Sequence, residues 1–255
     1  MDEKAMMGEL WAIYILWLRD LKRYFYDKPR IVASLGQPIL FLFVLGTALS
    51  PSFAGPGGIK FSEFIFPGII SMTVLFTSVF SAMSIVWDRE FGFLKEVLVA
   101  PVSRFSIVVG KAFGGSTVAV LQGCLMLALA PLVGVKLSLL KVLKSVAAMF
   151  LIAFAMNGLG IVIAARMKEM EGFQMIVNFL IMPIFFLSGA LFPLDRLPGW
   201  LTVLTRVDPL TYGVDLTRRV MLGVSAFNVF FSLSVILGFA FVMFLIAVYE
   251  FNLAD

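Results

Sequence analysis

The 255-residue chain contains no histidine and a single cysteine, Cys124. Without histidine there is no imidazole general base, no Ser/His/Asp triad and no His-bearing zinc site, and one thiol cannot close an intrachain disulfide. Charge is scarce as well: 14% of residues are Asp, Glu, Lys or Arg and 61% are hydrophobic, whereas soluble domains carry about a quarter charged residues. A water-soluble globule is excluded, and a bilayer is the solvent that fits. In a soluble protein the net charge of +4 would suggest nucleic acid. Here the basic residues flank apolar runs, the distribution that membrane topology produces, and no nucleic-acid partner is expected.

Six apolar runs, at residues 31–49, 64–87, 105–130, 145–165, 174–192 and 229–249, approach or exceed the roughly 20 residues that cross a bilayer as helix. They predict an all-α integral membrane protein with six transmembrane helices and one domain, 1–255. The first run has no small-residue cleavage pattern and is expected to stay in the mature protein. Six crossings put both termini on one side of the bilayer. A cytoplasmic N-terminus places Lys4, Arg19, Lys22, Arg23, Lys28, Arg30, Arg89, Lys95, Arg104, Lys111, Arg166 and Lys168 inside. It leaves Lys60, Lys136, Lys141, Lys144, Arg196, Arg206, Arg218 and Arg219 outside. This bias predicts that both termini are cytoplasmic.

Three segments are not spans. Residues 8–27 place Trp11, Tyr14, Leu18, Leu21 and Phe25 on one helical stripe, with Arg19, Asp20, Lys22 and Arg23 elsewhere on the wheel. This is an amphipathic interfacial helix, either a surface anchor or also a contact for a cytoplasmic partner. Residues 88–104 carry Phe91, Leu94 and Leu98 at helical spacing beside Arg89, Glu90, Lys95 and Glu96. A short cytoplasmic helix from Asp88 to about Val99, stopped by Pro101, fits as a headgroup-level connector or as a docking helix. In the second case Gly92 would allow close backbone approach. Residues 193–222 hold Asp208–Pro209 as cap and first position of a helix that Gly223 ends. That helix is too short to cross, so the segment reads as two short helices dipping into the outer leaflet or as a surface loop. The Pro/Gly-rich stretch after Leu49 reads as an external loop.

Polar residues inside the runs are Gln37, Gln122, Asn157, Asn178 and Ser188. With Phe192 and Pro193 they are the candidates for a pathway or gate, although interhelical hydrogen bonding is the commoner use of such groups. No ionisable residue lies near the middle of a run, which argues against proton-coupled transport and voltage sensing.

Two motifs carry a resemblance. Arg89, Glu90, Gly92, Leu94, Pro101 and Ser103 with Gly110 and Lys111 form one; Ser188, Gly189, Phe192, Pro193, Leu197, Pro198, Pro209, Leu210 and Arg218 form the other. Together with the N-terminal amphipathic helix they resemble the permease subunits of ABC-2 type ATP-binding-cassette exporters. The resemblance implies a homodimer, or a heterodimer with a similar permease, in a prokaryotic inner membrane, docked on cognate ATPase subunits. The ATPase contact would comprise Arg89, Glu90, Phe91, Gly92, Leu94, Lys95 and Leu98 in a coupling helix, with residues 193–222 as re-entrant helices closing the external end. No GxxxxGK[ST] loop is present, so this chain is expected to bind no cofactor and to be no enzyme; ATP and Mg belong to the partner. The Lys136, Lys141 and Lys144 cluster lies outside the family pattern, as a snorkelling helix end or a contact for anionic headgroups or substrate. The implied cargo is an amphipathic drug, a lipid or a lipid-linked saccharide. The alternative of a secondary transporter or channel predicts intramembrane charge or broken midplane helices, and an intramembrane protease would need His or paired aspartates.

Overall fold

A computed structural model describes residues 3–52, 58–92 and 102–253. Among these the regular structure is helical, with no strand, and six helices are long and apolar enough to cross a membrane. Helix α1 (Glu3–Tyr26) precedes the spans α2 (Lys28–Ala48), α3 (Phe61–Glu90), α4 (Arg104–Leu127), α5 (Leu139–Arg166) and α6 (Met170–Leu187). Two shorter helices follow, α7 (Gly199–Val207) and α8 (Pro209–Leu222), before the last span α9 (Val229–Leu253).

Local chemistry sets the boundaries. The Asp27 carboxylate accepts the Arg30 amide at 3.2 Å, and Pro29 occupies the first turn of α2, where its missing N–H costs nothing. Ser103 and Ser138 cap α4 and α5. Asp208 caps α8, and Gly223 ends it at φ +78°, as the sequence predicts. Span α6 stops at Leu187, five residues before the apolar run ends, because Ser188 leads into a turn with Gly189 at φ +68°. Span α5 begins at Leu139, earlier than hydropathy suggests, and takes Lys141 and Lys144 into its first turns.

The loop after α3 departs from expectation. Asp88, Arg89 and Glu90 form the last turn of α3, and Gly92 at φ +79° stops the helix. Phe91 follows that last turn, and the continuation of the expected helix to Val99 lies outside the described residues. Gly92 is in the left-handed region that favours glycine, and within this chain a Cβ on it would meet nothing within 4 Å among the described residues. Leu94, Lys95, Leu98 and Pro101 lie outside the described residues, as does part of the loop after Leu49.

Spans α3, α4 and α5 form the packed centre, with Ile65, Ile69, Leu75, Val79, Met149, Ile152 and Met156 nearly inaccessible. Spans α2, α6 and α9 expose most of their surface, apolar as a lipid or protein neighbour requires. Two glycines set the closest approaches. A Cβ at Gly115 of α4 would lie 2.0 Å from Asn157 Nδ2, and one at Gly68 of α3 would lie 2.3 Å from the Ala190 carbonyl oxygen.

Gly68→Ala is therefore expected to cost about 1–3 kcal/mol, since the obstruction is backbone and cannot rotate away. Gly238→Ala, on an open face of α9 with nothing within 4 Å, should be neutral or stabilising by up to about 1 kcal/mol. Thermal unfolding of the purified variants checks this pair; equal midpoints would contradict the packing.

Candidate functional site

Contacts sort the structure into two ends. At the basal end Glu9 meets Ser103, Arg89 meets Met167 and Arg166 meets Glu250. At the apical end Lys141 meets the Met221 carbonyl, Arg218 meets Gly189 and Asp215 meets Ala226.

The amphipathic helix α1 packs on α4 through one face and leaves its aromatic stripe open. Its stripe of Trp11, Tyr14 and Phe25 faces outward, while Leu16 and Asp20 are buried against α4. Glu9 accepts the Ser103 amide and hydroxyl at the N-terminus of α4, where its charge suits the helix dipole. Trp17 Nε1 donates to Thr117 at 3.1 Å. Between α1, α3 and α4 sits a square of alternating charge. Lys111 Nζ lies 3.1 Å from Asp88 and 3.4 Å from Asp20, and donates to Ser84 at 2.9 Å. Arg19 pairs with the same two carboxylates. Lys111 is 5% and Asp20 7% exposed, so neither charge would be tolerated without the other.

Arg89 is bound inward. Its guanidinium donates to the carbonyls of Ala164, Ala165 and Met167 at the end of α5, where the Met167 amide also reaches the Ala164 carbonyl at 3.2 Å. The root of the loop after α3 is thereby fastened to the α5–α6 turn. Glu90 and Phe91 are exposed, with the Phe91 ring edge-on to Trp87 at 5.8 Å.

Above the square, α1, α2, α3, α4 and α6 enclose a cavity of about 560 Å³. Its wall combines Ser34, Gln37, Thr73, Thr77, Ser81 and Gln174 with Met72, Phe76, Phe80 and Met83; of its charged lining, buried Asp20 lies inside, and Arg23, Asp27 and Arg30, which reach the surface, mark its mouth. Such a lining suits a ligand with a polar head and an apolar body.

At the apical end α8 is buried on α3, α5 and α9. Arg218, 4% exposed, donates to Gly189 at 2.9 Å and stacks over the Phe64 ring at 4.1 Å. Burial pulls its pKa down to about 10, leaving it charged at neutral pH. Asp208 accepts the Leu210 amide and the Thr211 hydroxyl, yet burial pushes its pKa from 3.8 up to about 7.

The sequence-derived candidates fall in different places. Gln37 lines the cavity. Gln122, fully buried, joins helices beside it: its amide nitrogen donates to Ile31 and Ser34, and its oxygen accepts from Tyr24. Asn157 donates to the Ser78 carbonyl at 2.7 Å, Asn178 is exposed on α6, and Ser188 holds the turn after α6. Phe192 and Pro193 are half-buried in the following segment. Of the external lysines, Lys141 donates to the last turn of α8 at Met221, 2.9 Å away, while Lys136 and Lys144 are exposed. The sequence reading missed Thr73, Thr77, Ser81 and Ser84. Their spacing of four, four and three residues along an apolar helix is the signal that would have found them.

A family profile described as ABC-2 type transporter matches residues 12–222. The chain is 30% identical over 206 residues to the putative transport permease ycf38 of Cyanophora paradoxa, covering 78% of this chain and 71% of that protein. It is 29% identical over 216 residues to Nodulation protein J of Rhizobium leguminosarum bv. trifolii, covering 81% of each. To the probable multidrug ABC transporter permease YbhR of Escherichia coli K12 it is 27% identical over 169 residues, 64% of this chain and 45% of that protein.

Two stability predictions arise from these contacts. Arg89→Ala removes three charge-assisted hydrogen bonds at the end of α5 and should cost about 2 kcal/mol, and Arg89→Lys should recover only part because one ammonium cannot reproduce the guanidinium fork. Full recovery by lysine in thermal unfolding would refute the bridge. For Asp208, the folded state holds a proton that the unfolded state releases between pH 4 and 7, so stability should fall as pH rises through that window. Asp208→Asn keeps the cap without the titration and should unfold higher than the natural protein at pH 8, whereas Asp208→Ala should lie about 1 kcal/mol below the Asn variant. A midpoint that rises with pH more in the natural protein than in Asp208→Asn would contradict this.

Proposed function

The chain belongs to the ABC-2 type transporter family, and from that premise we propose that it forms the membrane pathway of an ATP-driven exporter for an amphipathic drug, a lipid or a lipid-linked saccharide. It is a transport permease, and its family implies an ATPase partner; ATP and Mg are assigned to that partner. The observation that carries the reading is the cavity of about 560 Å³, polar along Thr73, Thr77 and Ser81 and apolar along Phe76 and Phe80. It lies beside α2 and α6, the spans with the most open faces next to it. A second permease, of the same or a similar chain, would close those faces and complete the pathway.

In this reading the basal end is cytoplasmic in a prokaryotic inner membrane, with both termini on that side. The ATPase docks on Glu90, Phe91, Gly92 and the loop residues Leu94, Lys95 and Leu98. Phe91, 71% exposed, supplies an apolar anchor, and Arg89, bound to the α5–α6 turn, passes the loop's displacement to α6. At the opposite face α7 and α8 act as re-entrant helices beside the exit, with Ser188, Phe192 and Pro193 at their approach. Gln37 faces the cargo, whereas Gln122 and Asn157 hold the wall; Asn178 lies on the open face of α6.

Two variants of the complex reconstituted in proteoliposomes test the assignment. Phe91→Asp should leave permease stability unchanged while weakening ATPase docking by about 30-fold, the effect of losing an interface anchor worth about 2 kcal/mol. Thr77→Trp should retain the ATPase and lower transport at least about tenfold by filling the cavity. Normal docking and transport in Phe91→Asp would remove the loop from the interface, and normal transport in Thr77→Trp would remove the cavity from the pathway.

A further inference from the structure

Building on the cavity as transport path, we infer that its mouth is an anion site selecting amphipaths with a phosphate headgroup. Three ionisable residues that reach the surface line that mouth, Arg23, Asp27 and Arg30, and buried Asp20 completes the charged lining. Both carboxylates have partners in the protein. Asp20 is held by Lys111 and Arg19, and Asp27 is turned to the Arg30 backbone amide at the start of α2.

The two arginines are placed differently. Among the described residues neither guanidinium forms an ion pair. Arg23 stacks over the Trp87 ring at 4.5 Å, which occupies its face and leaves its N–H edge open. Arg30 gives one long bond, 3.5 Å, to the Phe80 carbonyl. Each guanidinium carries five N–H donors, so most donors of the pair remain to be matched at the rim of a cavity. The charge square formed with Lys111 is neutral, and Arg23 and Arg30 together exceed Asp27 by one positive charge.

Paired forks of this kind match the oxygens of a phosphate better than a single carboxylate, and a phosphomonoester approaches the double charge that two arginines complement. Behind them Met72, Phe76, Phe80 and Met83 offer an apolar wall for an alkyl chain. Arg30 stands in the first turn of α2, where a span meets the headgroup layer, so the head would bind at the depth from which the chain enters.

The test uses the purified permease in phosphatidylcholine nanodiscs and tritiated dodecyl phosphate. Dodecylphosphocholine, dodecyltrimethylammonium and inorganic phosphate serve as competitors. Dodecyl phosphate should bind at least about tenfold more tightly than the other two dodecyl compounds, as expected for one charge-assisted contact or more. Inorganic phosphate should compete at least about a hundredfold less well because it buries no chain. The double variant Arg23→Gln/Arg30→Gln should lose that preference while dodecylphosphocholine binding stays within about twofold. Equal affinity for the three dodecyl compounds, an unchanged preference in the double variant, or inorganic phosphate competing as well as dodecyl phosphate would each overturn the inference. If the glutamine pair loses dodecylphosphocholine too, Arg23→Lys/Arg30→Lys decides: a retained phosphate preference supports the site and a lost one overturns it. Thr77→Trp separates the two levels. Undiminished binding of every dodecyl compound there strikes the cavity reading itself, whereas loss of all three leaves that reading standing whatever the headgroup result.

Discussion

Lipid has no donor to offer a bare carbonyl, so every peptide oxygen released where a helix stops inside the protein must find one among neighbouring side chains. The long polar side chains of this chain are distributed accordingly. Arg89 takes the carbonyls at the end of α5, Arg218 those of the turn after α6, and Lys141 that of the last turn of α8. Asn157 bonds the Ser78 carbonyl just before the turn at Ala82, and Gln122 ties α4 to the Ile31 carbonyl within α2. Each bond joins residues far apart in the chain, so satisfying the backbone also fixes which helices are neighbours. A protein with so few polar residues has little else with which to specify its arrangement.

The charge square follows a different logic at the basal end. Two carboxylates and two cations removed from water are costly singly and acceptable only as a set. The set holds three elements: α1 through Arg19 and Asp20, the end of α3 through Asp88, and α4 through Lys111. Because Asp20 and Ser84 also line the cavity, the fastening of the N-terminal helix and the shape of the mouth are one problem. A displacement of the α3 end would be felt at the cavity within one layer of side chains.

Much of the fold was legible because apolar length is the dominant signal in a membrane protein, and α8 was legible because Asp208, Pro209 and Gly223 are local devices. What hydropathy could not see were boundaries set by distant partners. Leu187 ends α6 where the Arg218 bond and the Gly189 turn dictate, within a run that stays apolar to Phe192. Trp11, Tyr14 and Phe25 of the stripe read on α1 face outward, whereas the inward pairing of Asp20 with Lys111 depended on a partner 91 residues away. At the candidate site Gln37 stood out by polarity, whereas Thr73, Thr77 and Ser81 did not. Hydroxyls that can bond their own helix, as Thr73 does to Ile69, look inconspicuous singly. The positive φ of Gly92, invisible in composition, ends α3 just past Glu90.

The first span contains a wide π turn at Phe41–Leu45. Pro38, Leu42 and Gly46 are buried at intervals of four residues, which in a plain α-helix would drift by about 40° per step. The wide turn absorbs that drift and brings Gly46 against Ser62, where a Cβ would sit 3.2 Å from the serine Cβ. Counted as helical phase, the span carries one surplus residue. Chain length, rather than side-chain chemistry, thus decides which way its apical end faces. Shortening by one inside the wide turn returns plain helix with both halves in phase, whereas the same deletion a turn earlier swings everything above it by about 100°.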